Sequence, residues 1–273
     1  MKKAKDEFER KRALRRKKIR RRRLIIGFFT FMIFSAAVFA VLSVTVLFPV
    51  KTVNAGGKTR YSAEEIIKAS GLSEKNNIFT FSSEKTAEKI RKKLPYAGEI
   101  SVTRKLPDTV DIKIKTELSE FAYIHQNDGY YAVSSDFKVL NFYAERPEQL
   151  FAINCSGVGC EVGENVDFSK CKNADSLKGL INELVANEIQ INAVNSADSG
   201  VLSAVVCGRF KVNFGTAVDI RGKAAHLAGM IKAIEQDKTG RIDLSMWNSS
   251  ASEGTFIAGA IDLNSEIEPN TAG

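Results

Sequence analysis

Histidine is nearly absent from this sequence, which contains only His125 and His226, about 100 residues apart. The two residues form neither a His-Glu-x-x-His motif nor any comparable spacing of metal ligands. We interpret each of them as an ordinary surface or boundary side chain. The sequence therefore predicts neither a metal centre nor a cofactor.

A complete catalytic motif is also missing. Ser82-x-x-Lys85 and Ser135-x-x-Lys138 match the Ser-x-x-Lys element of penicillin-binding enzymes, and Lys238-Thr-Gly240 matches a second element. The third element, Ser-x-Asn, occurs nowhere in the chain. Ser82 is placed to cap a helix, and Lys and Gly are common at helix ends, so capping and chance explain these fragments. An extracytoplasmic cell-wall enzyme remains an alternative, but no small-molecule substrate is expected.

Cysteine is scarce, and its four positions lack the close Cys-x-x-Cys spacing that is typical of zinc and redox sites. Cys207 lies in an apolar run, Val201–Cys207, and is predicted to be a small buried residue. Cys155, Cys160 and Cys171 fall in predicted loops. An oxidising compartment would permit a disulfide among them, and the sequence leaves open which of them pair and which stay free.

Charged residues are absent from Leu24 to Phe48. A helix of that length reaches about 37 Å, which is enough to cross a hydrocarbon core of about 30 Å with some tilt. A buried core helix and a cleaved signal peptide are the alternatives. The small residues that could mark a cleavage site (Ala36, Ala37 and Ala40) lie inside the apolar run, however. The run therefore predicts an uncleaved transmembrane helix over residues 24–48.

Basic residues are concentrated immediately before this run. Residues 1–23 contain 14 Lys or Arg and 3 Asp or Glu, a net charge of +11, whereas the rest of the chain has a net charge of −3. Lys and Arg beside a membrane span stay on the cytoplasmic side, so residues 1–23 are predicted to be a cytoplasmic tail and residues 50–273 to be extracytoplasmic. Contact with anionic membrane lipid accounts for the charge, and nucleic-acid binding is not expected.

Residues 50–118 are predicted to form strand, helix, helix, strand and strand. The first strand covers Val50–Val53, and Gly56-Gly57 predicts a turn after it. The first helix begins after Ser62, whose spacing to Glu65 matches a capping box, and it ends at about Ser70. The second helix spans about Ser83 to Leu94, and Pro95 ends it. In the last strand Val110, Ile112 and Ile114 alternate with charged residues, which indicates a half-buried strand.

Residues 119–263 are predicted to form a larger β-rich domain with two helices. The apolar stripes Leu177–Val185 and Leu227–Ile234 mark those helices, and Gly240 is predicted to close the second. The strands are predicted at 121–124, 130–133, 139–142, 150–154, 189–194, 201–207, 209–214, 241–246 and 255–261. Residues 264–273 are predicted to be a flexible C-terminal tail. The fold class is thus α+β, consisting of an N-terminal transmembrane helix, a β-α-α-β-β module and the β-rich domain.

The last predicted strand is the candidate binding site. It consists of Thr255, Phe256, Ile257, Ala258, Gly259, Ala260 and Ile261. No later strand is predicted to cover its outer side, and the run lacks the Lys and Pro that usually block pairing at a sheet edge. An apolar run is by itself more typical of a buried strand, and that interpretation stays open.

Several segments together resemble the FtsQ/DivIB family of bacterial cell-division proteins. In the first module they are Val53–Ser62, Ala63–Ile67, Gly71-Leu72, Asn77–Phe79, Leu94-Pro95, Val102–Pro107 and Thr109–Ile112, and near the end they are Ile220–Ile234 and Gly240–Leu244. The resemblance covers nearly the whole chain. It implies a polypeptide-transport-associated (POTRA) fold for residues 50–118.

The resemblance also implies a function. Members of this family are expected to be non-enzymatic scaffolds that assemble the division machinery at the septum. Their expected partners are small bitopic coiled-coil proteins of the FtsB/DivIC and FtsL types, and one partner is expected to add a strand at the last strand of the β domain. A POTRA-bearing secretion or assembly factor is an alternative, although the several modules or the barrel typical of such proteins are not visible in the sequence.

Overall fold

The computed structural model describes residues 2–42, 48–73, 76–247, 254–262 and 267, with side chains from residue 21 onward. Contacts between Cα atoms divide the chain into two compact units. The first unit comprises residues 1–56, 63–87 and 101–113, and the second comprises residues 57–62, 88–100 and 114–273. The second unit therefore contains part of the β-α-α-β-β region together with the larger β-rich region.

One long helix, α1, runs from Lys2 to Leu42. Its stretch Arg21–Leu42 is the one helix among the described residues that is long and apolar enough to cross a membrane. Large apolar side chains along this stretch are exposed, which suits contact with lipid. The helix ends before the predicted limit of residue 48, and residues 43–47 lie outside the described residues. Phe48 packs edge-on against Phe79, with ring centroids 5.2 Å apart.

The predicted order of elements between residues 50 and 118 is confirmed. The elements are β1 (Thr52–Gly57), α2 (Ala63–Ser70), α3 (Ser83–Lys93), β2 (Ile100–Lys105) and β3 (Thr109–Ile114). The strands form a three-stranded sheet in the order β1-β3-β2. Val110, Ile112 and Ile114 are buried, as their alternation predicts. The predicted turn at Gly56-Gly57 is wrong, because both glycines belong to β1 and a Cβ at Gly57 would overlap the backbone of Ile114.

The larger region forms a nine-stranded mixed sheet. Its strands are β4 (Ala122–Gln126), β5 (Gly129–Val133), β6 (Val139–Tyr143), β7 (Phe151–Cys155), β8 (Ile191–Ser196), β9 (Leu202–Val206), β10 (Phe210–Gly215), β11 (Gly240–Asp243) and β12 (Thr255–Ala258). Their order across the sheet is β12-β11-β10-β9-β8-β7-β4-β5-β6, so β12 and β6 are its two edges. The pairs β10–β11, β4–β7 and β7–β8 are parallel, and the other pairs are antiparallel.

Two helices, α4 (Ala174–Ala186) and α5 (Ile220–Ala233), pack against this sheet. Their apolar stripes join alternate strand residues, such as Ile124 and Val194, in the main core. Since neighbouring side chains on a strand point to opposite faces, the remaining strand residues lie on the other side. We call the face toward α4 and α5 the helical face and the opposite face the second face. A smaller buried cluster lies on the second face.

The elements predicted in the larger region are all present, with shifted ends. Gly240, predicted to close the last helix, instead begins β11. This helix, α5, ends earlier, at Ala233. The last strand ends at Ala258 rather than at residue 261. Ile267 lies in the segment predicted to be flexible, yet it is only 7% exposed.

Two of the four cysteines form a disulfide, and the other two are free. Cys155 and Cys171 form a disulfide that links the end of β7 to the segment before α4. Cys160 and Cys207 are free and half-buried. Cys207 is therefore less buried than the apolar run predicts. It occupies the first position of a tight turn between β9 and β10, with φ of 56°.

Candidate functional site

The candidate site is β12, one edge of the nine-stranded sheet. β12 pairs antiparallel with β11, and Ile257 stands opposite Arg241 while Phe256 stands opposite Ile242. Of the seven residues in the predicted site, Thr255–Ala258 form the strand. Gly259, Ala260 and Ile261 continue the chain beyond it, and Gly259 and Ala260 are exposed while Ile261 is half-buried.

Two features hold β12 against the sheet. Phe256 is half-buried on the helical face and packs edge-on against Phe210, with ring centroids 5.9 Å apart. Gly240 stands opposite Ala258, and a Cβ at Gly240 would overlap the carbonyl oxygen of Ile257. Glycine at position 240 thus permits the close approach of the two strands.

The backbone of β12 alternates between groups that bind β11 and groups that point away from it. The N–H of Gly259 donates to the carbonyl oxygen of Thr239 at 3.1 Å. Because hydrogen bonding alternates along an antiparallel pair, Ile257 also directs its N–H and C=O toward β11. Phe256 and Ala258 then direct theirs outward. Among the described residues, no strand lies beyond β12 to accept these groups.

The side chains at this edge leave it accessible. Ile257 is 61% exposed, and Thr255 and Ala258 are exposed as well. The strand has neither the lysine nor the proline that proteins commonly use to prevent edge pairing. A short apolar edge with outward backbone donors and acceptors is chemically suited to adding a strand from another polypeptide.

The opposite edge, β6, is paired at its start by its own chain. The N–H of Val139 donates to the carbonyl oxygen of Glu164 at 2.9 Å, and the carbonyl oxygen of Val139 accepts from the N–H of Gly163 at 2.9 Å. Lys138 and Asn165 form a further antiparallel bridge. The start of this edge is thus already paired, whereas no described strand pairs with the outer side of β12.

The catalytic motif fragments have structural roles. The hydroxyl of Ser82 accepts from the N–H of Lys85 at 3.3 Å, as a helix cap does. The Nζ of Lys138 is buried and donates to the carbonyl oxygens of Arg91 (3.0 Å), Pro95 (2.8 Å) and Ala97 (3.3 Å). Lys238 lies in an exposed turn, 3.7 Å from Glu235.

The two histidines are also engaged. His125 stacks on Tyr130, with ring centroids 4.6 Å apart, and His226 stacks on Trp247, with ring centroids 5.6 Å apart. The part of the chain that the structure describes contains no cluster of three or more His, Cys, Asp or Glu side chains that could hold a metal ion.

These features define a class of protein, in which a helix long and apolar enough to cross a membrane is followed by a β-α-α-β-β module and a larger mixed sheet. Residues 48–115 match the family model described as "POTRA domain, FtsQ-type". Over 206 residues the chain is 30% identical to the cell division protein DivIB of Clostridium acetobutylicum. The match covers 72% of this chain and 80% of that protein. The chain therefore belongs to the FtsQ/DivIB family of cell-division proteins, which is not known as a family of enzymes.

Sequence reasoning missed the residues that make β12 an edge strand. It placed Gly240 at the end of a helix, although this glycine begins β11 and a Cβ there would overlap the backbone of β12. It also gave no role to Phe210, which anchors Phe256. The position of Gly240 just before the alternating residues Arg241–Asp243 was the available signal, because a glycine that precedes a strand can serve a close backbone approach.

Proposed function

We propose that this chain is a non-enzymatic scaffold of the bacterial division machinery, anchored in the cell membrane by one helix. Its proposed partners are small bitopic coiled-coil proteins of the FtsB/DivIC and FtsL types. The family membership supports a role in division, and the open β12 edge supports the manner of binding. Such a scaffold would recruit and stabilise its partners at the septum.

The single observation that carries the proposed binding mode is the outward direction of the Phe256 and Ala258 backbone groups. A partner strand that pairs with β12 would exchange hydrogen bonds with these two residues. It would also extend the sheet beside Phe256 on the helical face and beside Ile257 on the second face. Main-chain bonds would supply affinity, and these flanking side chains would set the register.

The charge distribution supports the proposed topology. The basic tail of residues 1–23 directly precedes the apolar run that begins at Leu24, so residues 1–23 are proposed to be cytoplasmic and residues 50–273 extracytoplasmic. A reporter that is active only outside the cytoplasm, fused after Gly273, should be active. An inactive reporter, or a mature protein that begins beyond Phe48, would contradict this topology.

The proposed edge pairing is tested by Ala258→Pro in the full chain, reconstituted in nanodiscs and assayed for capture of a DivIC-type partner. Proline removes the outward N–H of residue 258 and leaves the inward groups of Ile257 in place. Capture should fall at least about a hundredfold, because several main-chain bonds depend on the register. The matched control, Ala258→Ser, keeps the N–H and should bind normally. Equal capture by the proline variant, with unchanged thermal unfolding, would overturn the β12 site.

A further inference from the structure

Ile267 is buried in a second cluster that lies apart from the main core. The cluster consists of Tyr123, Ala152, Ala193, Val205 and Ile267, each at most 7% exposed. The first four residues belong to four neighbouring strands, β4, β7, β8 and β9, and they lie on the second face of the sheet. Ile267 is the one member that comes from outside the sheet.

The four sheet residues form a socket. They stand directly opposite one another across the strands, so that Tyr123 pairs with Ala152, Ala152 with Ala193, and Ala193 with Val205. Two alanines between a tyrosine and a valine leave a depression on a pleated surface, because Cβ is all that either alanine contributes. The Nδ2 of Asn154 donates to the carbonyl oxygen of Ile267 at 2.8 Å, so a directed polar contact adds to the apolar one.

The same row of residues leads from the socket to the edge strand. Val205 stands opposite Lys211, Lys211 opposite Arg241, and Arg241 opposite Ile257 of β12. Ile257 and Ala193 are four strands apart, which corresponds to about 19 Å. The nine peptide steps from Ala258 to Ile267 can span about 30 Å when extended. Nine steps are therefore long enough to connect β12 with the socket.

Strand β12 needs support beyond its own pairing. It has four residues, it pairs with one neighbouring strand among the described residues, and Phe256 is the one residue of the four that is not exposed. A terminal strand with so few buried contacts opens easily. A fixed point after β12 limits that opening, since the chain is then held on both sides of the strand.

We propose that the socket on the second face is a docking site for the chain's own C-terminal segment, and that Ile267 is the anchor that keeps β12 in the sheet. This inference does not depend on the identity of any partner. It assigns a structural role to a segment whose composition predicts only a flexible tail. It also makes the order of β12, and so its availability for binding, depend on a residue that lies outside the strand.

The test is hydrogen–deuterium exchange of the full chain in nanodiscs, read at the amides of β12 and of the central strands β8 and β9. Ile267→Asp should speed exchange in β12 about tenfold and leave β8 and β9 protected. Ala193→Leu should do the same, because the larger side chain fills the socket and displaces Ile267. Val218→Asp, at a side chain that is 64% exposed, is the control and should change nothing.

Each outcome decides the proposal. Faster exchange confined to β12 in both socket variants would support it. Unchanged exchange of β12 in Ile267→Asp would overturn it. Equal acceleration in β8, β9 and β12 would also overturn it, since Ile267 would then stabilise the domain as a whole rather than hold its edge.

Discussion

The two edges of the nine-stranded sheet differ in how their outward backbone N–H and C=O groups are paired. At β6, residues 163–166 pair with Val139, the first residue of the strand, and with the two residues just before it, so the start of this edge is satisfied internally. At β12, the backbone groups of Phe256 and Ala258 point outward, and the strand itself contains no charged residue. An unprotected edge favours association, and proteins generally protect edges that are not used for binding. The contrast therefore supports the proposal that partners bind at β12.

Residues at and beside the β6 edge also contact α3 and the segment that follows it. Lys138, in the turn just before β6, contacts the end of α3, and Lys92 of that helix pairs with Glu164. The phenol of Tyr143 donates to the carboxylate of Glu120, which also accepts from Tyr96. The closed edge is thus part of a network within the second unit. The open edge is held by its pairing with β11, by the contact of Phe256 with Phe210 and by the proposed anchor at Ile267.

The largest expected effect is at the closed edge, in Gly163→Ala. Gly163 has φ of 92°, and a Cβ there would overlap the carbonyl oxygen of Lys92. We expect a loss of about 3 kcal/mol or more in the free energy of unfolding, measured by denaturant titration. Gly159→Ala in the same loop is the control, because its Cβ would lie 3.5 Å from Asp167, an ordinary contact. Similar stabilities for the two variants would show that the loop does not close this edge.

The next effect concerns Lys138→Met, which removes the three hydrogen bonds to the end of α3. We expect a loss of about 2–4 kcal/mol, because buried carbonyl groups would be left without a donor. Lys172→Met, at an exposed lysine of the larger region, should change stability by less than about 0.5 kcal/mol. A Lys138→Met protein as stable as the parent would mean that the closed edge does not rely on this lysine.

Lys138 should also give the closed edge a characteristic dependence on pH. Burial lowers the pKa of Lys138 to about 8, from an ordinary value of 10.5. Between these two values the unfolded chain holds the proton and the folded chain does not, so stability rises with pH across this interval and is flat on either side. The difference in unfolding free energy between parent and Lys138→Met, measured from pH 7 to 11, isolates this contribution. A difference that falls or stays constant over that interval would contradict the assignment.

The extent to which sequence predicts this molecule follows from the range of the interactions. Periodicity located the helices and strands, because burial of one face leaves a local pattern, as in Leu177, Leu180 and Leu184. Buried lysines leave no such pattern. Lys138 is 7% exposed and donates to the carbonyl oxygen of Pro95, 43 residues away in the sequence. Lys223 is 1% exposed and donates to the carbonyl oxygen of Phe214 in β10. Ile267 was missed for the same reason, since its socket is assembled from four strands that are far away in the sequence.

The candidate site could be predicted in part. The apolar run at residues 255–261 and the absence of a later strand indicated an edge, and the structure places β12 at an edge. The direction of each backbone group could not be read from the sequence, because it depends on the register with β11. The predicted strand was also too long, because Gly259 and Ala260 continue the apolar run in the sequence although both are exposed and lie beyond the end of β12.

At the open edge the expected losses of stability are smaller. Phe256→Ala removes the contact with Phe210, and since Phe256 is only half-buried we expect a loss of about 1–2 kcal/mol. Val185→Ala, at an exposed valine of α4, is a control that should be nearly neutral. Local loosening of β12, seen as faster amide exchange at Thr255–Ala258, should accompany the change. A neutral Phe256→Ala variant would show that the aromatic contact does not hold the edge.

The smallest change in stability, and the sharpest contrast between the edges, is expected for Ile257→Lys. Ile257 is 61% exposed, so the substitution should alter the free energy of unfolding by less than about 0.5 kcal/mol. It introduces the residue with which proteins commonly block edge pairing, beside Arg241 on the neighbouring strand. Capture of a DivIC-type partner should therefore weaken about tenfold, whereas Asn141→Lys on β6 should leave capture unchanged. If the β6 variant lost capture and Ile257→Lys did not, the functional edge would be β6, and the comparison that assigns binding to β12 would be reversed.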